Sequence, residues 1–494
     1  MDLTPYLLGV HAATLALLGA FGLHRLWLLA RFRWEPEGDG ERRPLDLARV
    51  PPLTVQLPIF NERTVAARLI RAAGALEYPR DRFELQVLDD STDDTRAIVD
   101  EEVRLLRERG LAASVIRRAN RTGFKAGALE HGMQRAKGEL LCVFDADFMP
   151  QSDFLLRLVP HFADPAIGMV QARWGHHNRD ESRLTRAEST LLDGHFVIEH
   201  KVRHDSGVFF NFNGTAGIWR REAIESAGGW EHDTLTEDLD LSYRAQLRGW
   251  KFVYLPQVVV PAEVPADIAA FKSQQHRWAK GSVQVFKKLA LTILRSDEPV
   301  KTKLEAFAHL TGNAGYPFVL LLALLLPLSL GVSSEWSGWI HAVLFVTCTL
   351  TVLGFYERSQ RSVGRSLGAR LADTACAVVL GIGLSIGQTR AVLEGLLPGT
   401  GVFVRTPKHG DGPKRKRYAA VVRGLPGIEL LVAAWLGWGI AHAIENGLWF
   451  SLPFLSLFFA GFAWVGGLSA VDALRPLLAP RQDAPRAETV SSTG

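Results

Sequence analysis

Apolar positions follow two different rhythms along the chain. Between residues 35 and 265, short apolar runs alternate with stretches of helical spacing. "LTVQLPIF" (53–60) predicts a buried strand, and "VAARLIRAAGAL" (65–76) predicts a helix. "FELQVLDD" (83–90) predicts a strand ending in two acids, and "TRAIVDEEVRLLRERG" (95–110) a helix closed by Gly110. "SVIRR" reads as a short strand, "FKAGALEHGMQRA" as a helix, and "GELLCVFDADF" (138–148) as another strand that ends in acids. Alternation of this kind predicts an α/β domain whose mainly parallel sheet is covered on both faces. Ligands of such sheets bind beyond the carboxyl ends of the strands. Asp89 and Asp90 fall there, and so do Asp145 and Asp147.

The second rhythm is long and continuous. Residues 5–30 are mostly apolar and long enough to span a bilayer. Arg31, Arg33, Arg42 and Arg43 follow the run. A cleaved signal peptide has the opposite polarity, so this run reads as a retained anchor with its C-terminal end in the cytosol. Further runs occupy 306–332, 338–356, 427–445 and 448–473. The segment 371–397 is apolar too, but basic clusters flank it on both sides, and it carries Gln388, Arg390 and Glu394. A crossing there would place the two basic loops on opposite faces of the membrane and three polar side chains in hydrocarbon. The segment is therefore expected as an interfacial or re-entrant helix on the cytosolic face. Five spans result, with the N-terminus outside and the C-terminus inside.

Composition agrees with a soluble domain joined to membrane helices: 494 residues, 47% hydrophobic yet 22% charged. The net charge of +4 says little about partners, and no nucleic-acid partner is expected. Cys142, Cys348 and Cys376 are scattered without metal-ligand spacing. That argues against a disulfide framework or a structural zinc and for a reduced, cytosolic face. The expected organisation is an anchor (1–34), a cytosolic catalytic domain (35–265), amphipathic interfacial helices (266–300) and two spans (301–360). A cytosolic segment with an interfacial helix and a candidate gating loop follows (361–426), then two more spans (427–475) and a disordered tail (476–494).

The acids need a chemical reading. Neither a G-x-G-x-x-G after the first strand nor a G-x-x-x-x-G-K-[ST] is present, so a dinucleotide fingerprint and a P-loop are excluded. Asp145 and Asp147, alternate residues after a strand, suit a divalent cation shared with substrate phosphates. "DDSTDDT" (89–95) suits a nucleotide site or equally a polar turn with a helix cap. Thr236 is placed to cap a helix on which Leu239, Tyr243, Leu247 and Trp250 repeat at helical spacing. Glu237, Asp238 and Asp240 in its first turn either complement the helix dipole or present one carboxylate to a cleft as a general base. In "QQHRW", Gln274, Arg277 and Trp278 share one helical face, while Lys272, Lys280, Lys287 and Lys288 give the same helix an interfacial character.

Read together, "VLDDSTDDT", "FDADF", "TED" and "QQHRW" resemble the D, DxD, TED and QxxRW signature of family 2 inverting glycosyltransferases. "PIFNE", "NRTGFKAGAL" and "TEDLDLSYRAQLRGWKFVYL" are most similar to the cellulose-synthase-like mannan and glucan synthases, over roughly residues 53–290. The resemblance implies a glycosyltransferase-A-type, Rossmann-like catalytic domain. It implies that Asp89 and Asp90 bind the nucleotide, that Lys125 lies near the donor phosphates, and that Asp145 and Asp147 hold the diphosphate through Mg²⁺ or Mn²⁺. It implies Asp238 as the base with Glu237 beside it, and Asn213, Gly214 and Thr215 in an acceptor-side segment. Gln274 and Trp278 would hold the acceptor's terminal sugar, with Arg277 near the diphosphate. "FVRTPK" is similar to the FxVTxK gating loop of cellulose synthases, with Phe403, Thr406 and Lys408 matching and Arg405 replacing the valine. The implied activity is hexose transfer from GDP-mannose or UDP-glucose to a growing β-linked polysaccharide at the plasma (inner) membrane. Export between the membrane helices is implied too, and Tyr316, Trp435, Trp438 and Trp464 are candidates to line that path. Two alternatives stay open: a single-addition lipid glycosyltransferase, and a non-enzymatic membrane scaffold or transporter.

Overall fold

The structure, a computed structural model, describes residues 4–34, 45–330, 335–399 and 427–478. Phe403, Thr406 and Lys408 lie outside the described residues. Seven strands form one sheet: β1 (Leu53–Ile59), β2 (Phe83–Asp89), β3 (Ala113–Ile116), β4 (Leu140–Val143), β5 (Ile167–His176), β6 (Gly217–Arg220) and β7 (Lys251–Ala262). Their order is β3-β2-β1-β4-β6-β5-β7. The pairs β1/β2, β2/β3, β1/β4 and β5/β7 are parallel, and only β6 runs against its two neighbours. The sheet is thus mainly parallel, as the strand–helix alternation predicts.

Burial on both faces explains why these strands read as unbroken apolar runs. Leu140 and Cys142 of β4 point into one cluster with Val55, Leu57, Leu85 and Val87. Leu141 and Val143, one position out of phase, point into a second cluster with Met169, Phe212 and Trp219. The helices α2 (Ala66–Gly74) and α3 (Thr95–Glu108) cover the first face, and α4 (Phe124–Met133) lies on the second. The stretch 183–200 is a helix α5 (Arg183–Asp193) that runs on as a π-helix (Gly194–His200). Helix α6 (Glu237–Leu247) carries the acid triplet.

Helices flank this domain in the chain. Helix α1 (Thr4–Arg31) precedes the sheet, and α7 (Ile268–Arg295), α8 (Val300–Leu310), α9 (Gly315–Leu328) and α10 (Glu335–Ser362) follow it. Then come α11 (Leu367–Gly383), α12 (Ser385–Leu396), α13 (Gly427–Glu445) and α14 (Leu452–Leu478). Pro5–Arg31, Gly427–Glu445 and Trp449–Leu474 are long and apolar enough to cross a membrane. The pairs α8/α9 and α11/α12, each bent by 52°, make five if each pair counts as one span. The chain is a membrane protein.

Within the segment 266–300 the chain forms one long helix, α7, with Phe271, Gln274, Val283, Val285 and Leu289 buried and Leu291 and Leu294 exposed. The segment 371–397, expected as an interfacial or re-entrant helix, lies in two helices broken at Leu384. Close packing accounts for both halves. A Cβ on Gly383 would stand 2.3 Å from the Gly461 carbonyl of α14, and one on Gly395 would stand 2.8 Å from Val283 of α7. Each half is thus drawn to a different partner.

Candidate active site

The site is built on loops at the carboxyl ends of β1, β2 and β4. Asp145 and Asp147 leave β4 and line a cavity of about 190 Å³ together with Asp90, Lys125, Asn213, Glu237, Asp238, Gln274, Arg277 and Trp278. Ten residues expected from the sequence thus converge. Asp89, Gly214 and Thr215 do not line it, but Gly214 and Thr215 each hold a neighbour that does. The fully buried Asp89 carboxylate accepts from Arg117 Nε (2.8 Å) and the Ser91 N–H (3.0 Å). Asp90 beside it is gripped by Arg118 through Nε (3.1 Å) and a second nitrogen (2.5 Å). The Asp145 N–H donates to Thr215 Oγ1 (2.8 Å).

Gly214 is the pivot of the loop that carries Asn213 and Thr215. Its φ of +81° favours glycine. A Cβ there would stand 2.9 Å from Asp238 Oδ2 and 3.2 Å from Lys125 Nζ. Its carbonyl accepts from Lys125 Nζ (2.9 Å), which also donates to Asp145 Oδ1 (2.5 Å). Gln171, buried on β5, pins the loop by accepting from the Asn213 N–H and donating to the carbonyls of Thr215 and Ala216.

The three acids of α6 separate. Asp240 turns away and pairs with Arg244 (2.8 Å) and Lys288 (3.0 Å). Lys288 Nζ also meets Glu231 and Asp233, so an ammonium already neutralises that acidic group. Glu237 and Asp238 face the cavity. Thr236, expected as a side-chain cap, makes no such bond. Asp238 Oδ1 instead accepts from the next residue's N–H at 2.8 Å. Burial, and then the Glu237 charge, push the Asp238 carboxyl up to about 7, with Lys125 opposing. Burial also raises Glu237, against Lys125 and Arg277. Burial alone would lower Lys125, yet Asp145 and Glu237 outweigh it and keep the ammonium charged.

A match to "Glycosyltransferase like family 2" covers residues 51–281. Among curated relatives, glucomannan 4-beta-mannosyltransferase 2 of Arabidopsis thaliana is 36% identical over 469 residues, 88% of this chain and 84% of that protein. The chain belongs to glycosyltransferase family 2. Glucomannan 4-beta-mannosyltransferase 9 of the same plant is 44% identical over 269 residues, which are 53% of this glycosyltransferase and 50% of that protein. A solved structure, the mannosyltransferase PcManGT from Pyrobaculum calidifontis in complex with GDP-Man and Mn²⁺, superposes with a TM-score of 0.52. Identity is 22% over 75% of this chain and 99% of that one, a likeness of fold.

The glycosyltransferase also places residues that the sequence reading missed. Trp174 on β5 lines the cavity, its ring centroid 6.4 Å from that of Trp278. Phe60 and Arg121 line the end near Asp90, with the guanidinium carbon 3.3 Å from the Phe60 ring centroid. "PIFNE" and "NRTGFK" carried the last two among the quoted strings without singling them out. Trp174 lies in 151–235, where no element was read at all.

A second cavity of about 480 Å³ shares wall residues with the first and is lined largely by the membrane-type helices. Leu15 and Gly22 of α1, Val319 and Leu322 of α9, Gly381 of α11 and Phe458 of α14 line it. Tyr316 is there as expected; Trp435, Trp438 and Trp464 are not. Trp435 donates to the Leu324 carbonyl (3.1 Å), Trp438 is exposed, and Trp464 packs beside Leu380 and Leu384.

Proposed function

We propose that this enzyme transfers hexose, with inversion, from a nucleotide sugar to a growing β-1,4-linked polysaccharide. One observation carries the reading: Asp238 and Trp278 are walls of both cavities. The reacting end of an acceptor stacked on Trp278 would lie beside a carboxylate, and its far end would already point between the membrane helices. Mannose, carried as GDP-mannose, is the favoured donor, and the mannosyltransferase activity for which the relatives are named supports the choice of sugar. UDP-glucose is the alternative that the test separates. The catalytic domain would face the cytosol at the plasma (inner) membrane.

The chemistry is a single displacement. The acceptor hydroxyl oxygen attacks C1 from the face opposite the nucleoside diphosphate. Its proton passes to the Asp238 carboxylate as the C1–O bond to the diphosphate breaks. Lys125 and Arg277, both on the cavity wall, neutralise charge that collects on the leaving group. Asp145 and Asp147 offer an all-oxygen donor set from one loop, which fits Mg²⁺ or Mn²⁺ held jointly with a diphosphate. When bound, such an ion would stabilise the departing diphosphate. Asp90, with Asp89 fixed behind it, would meet the nucleoside; Gln274 and Trp278 would hold the terminal sugar, and Asn213 would face it.

The test is to incubate the purified protein with GDP-mannose and UDP-glucose in turn, with Mg²⁺ or Mn²⁺, and to size the product. Long mannose-containing chains, abolished by EDTA and restored by the metal, are expected. Full activity in EDTA would remove the metal. A single sugar on a lipid would replace the polymerase reading.

A further inference from the structure

We propose that the passage between the two cavities is a sugar-binding subsite for the penultimate hexose of the acceptor, and that a Glu199–His195–Asn213 relay sets its polarity. The inference rests on the glycosyltransferase reading above and goes beyond it. Six residues line both cavities: Trp174, Leu192, Asn213, Thr236, Asp238 and Trp278. The indoles of Trp174 and Trp278 lie 6.4 Å apart, tilted by 56°. A sugar that follows these shared walls from the first cavity to the second would meet both rings. The β5/β7 register jumps beside Trp174: Ala172 pairs with Leu255 but Arg173 with Val259, so β7 carries the extra residues of a bulge next to this wall.

Two buried polar atoms of these shared wall residues, Trp174 Nε1 and Asn213 Oδ1, have no hydrogen-bond partner among the described residues. Buried polar groups are normally paired, so such a set beside two indoles is what a ligand rich in hydroxyls would complete.

The orientation of Asn213 follows from its neighbours. Burial favours a neutral Glu199, but Arg203 and the hydrogen bond to His195 outweigh it and hold the carboxyl well below its ordinary value. An ionised carboxylate only accepts, so His195 Nδ1, 3.1 Å away, carries the hydrogen. His195 Nε2 is then an acceptor, and Asn213 Nδ2, 3.0 Å away, must donate to it. That turns Asn213 Oδ1 into the passage as an acceptor for a sugar hydroxyl, while Trp174 Nε1 offers a donor. Glu199 is braced in turn: Arg203 reaches it at 3.3 Å and Glu305 at 2.9 Å, and Glu305 meets His24 of α1 at 2.8 Å. His195 and Glu199 belong to the π-helix, a distortion frequent at functional sites.

The test uses the full-length protein in detergent with a β-1,4-linked oligosaccharide acceptor. His195→Phe should raise the acceptor KM about tenfold, the cost of one misdirected hydrogen bond, with kcat changed less than about threefold. His195→Gln, which can still accept from Asn213, should recover most of the affinity. Oligosaccharide binding followed by tryptophan fluorescence needs no donor, so it separates this inference from the transfer reading. Binding that weakens in Trp174→Phe and His195→Phe supports the subsite even where no nucleotide sugar is turned over. Unchanged acceptor KM and unchanged binding in a folded His195→Phe protein would overturn it. So would a fall in kcat with no change in KM.

Discussion

Asp238 is placed to be a base whose activity depends on pH. Its carboxyl is raised to about 7, so near pH 6 most of it is protonated and unable to take a proton. Transfer should therefore rise with pH through about 7 and level off above it, because the active form is the ionised one. Asp238→Asn keeps the shape, can still accept from the Leu239 N–H through its amide oxygen, and removes the basicity. Turnover should fall about 100- to 10,000-fold and the pH step should vanish, while nucleotide binding changes little. Were Asp238 only a helix-start acid, its loss would cost about 0.3–1 kcal/mol of stability and leave transfer intact. Steady-state rates across pH on both proteins decide between these. The residues involved were legible because chemistry fixes them at short spacing: Asp145 with Asp147, and Gln274, Arg277 and Trp278 on one helical face. Their non-local partners were not. Nothing in "RWGHH" or "DGHFVIEH" announces that Trp174 comes within 6.4 Å of Trp278, or that His195 meets Asn213 eighteen positions later.

At the scale of elements, regular pieces were readable and interruptions were not. The strands β1 to β4 were expected within a few residues because two-sided burial leaves an unmistakable apolar run. The π-turns of 194–200 and the break at Leu384 have no such signature, since each is imposed by what packs against it. Gly383 and Gly461 show the second case: Cβ atoms there would stand 2.3 Å from the Gly461 carbonyl and 2.8 Å from the Val379 carbonyl. Small residues let membrane helices approach backbone to backbone. Gly383→Leu should force α11 from α14 and destabilise the membrane domain by about 1–3 kcal/mol or more, the usual cost of overpacking. A lower unfolding midpoint in detergent, followed by size-exclusion profile against temperature, is the expected result. An unshifted midpoint would mean that the two helices are not locked at this crossing.

For the whole molecule, the decisive feature is that the candidate active site and the larger cavity among the membrane helices share walls. Gly381 tests this without disturbing the packing just described. It lies two residues before Gly383 but lines the larger cavity, and a Cβ built on it meets nothing within 4 Å. Glycine is a poor helix residue, so replacing it does not weaken α11 intrinsically. Gly381→Trp would instead place an indole across the route that a polymer must take. If the cavity carries the product, chain extension should stall early. Products should shorten and donor turnover should slow with them, while Gly381→Ala, which leaves the route open, behaves as wild type. In inverted membrane vesicles, wild-type product should resist a glycan hydrolase added outside, because it accumulates in the lumen. A folded Gly381→Trp protein whose products keep their full length would show that the chain leaves by another route, and product digested outside wild-type vesicles would show that it is not exported at all.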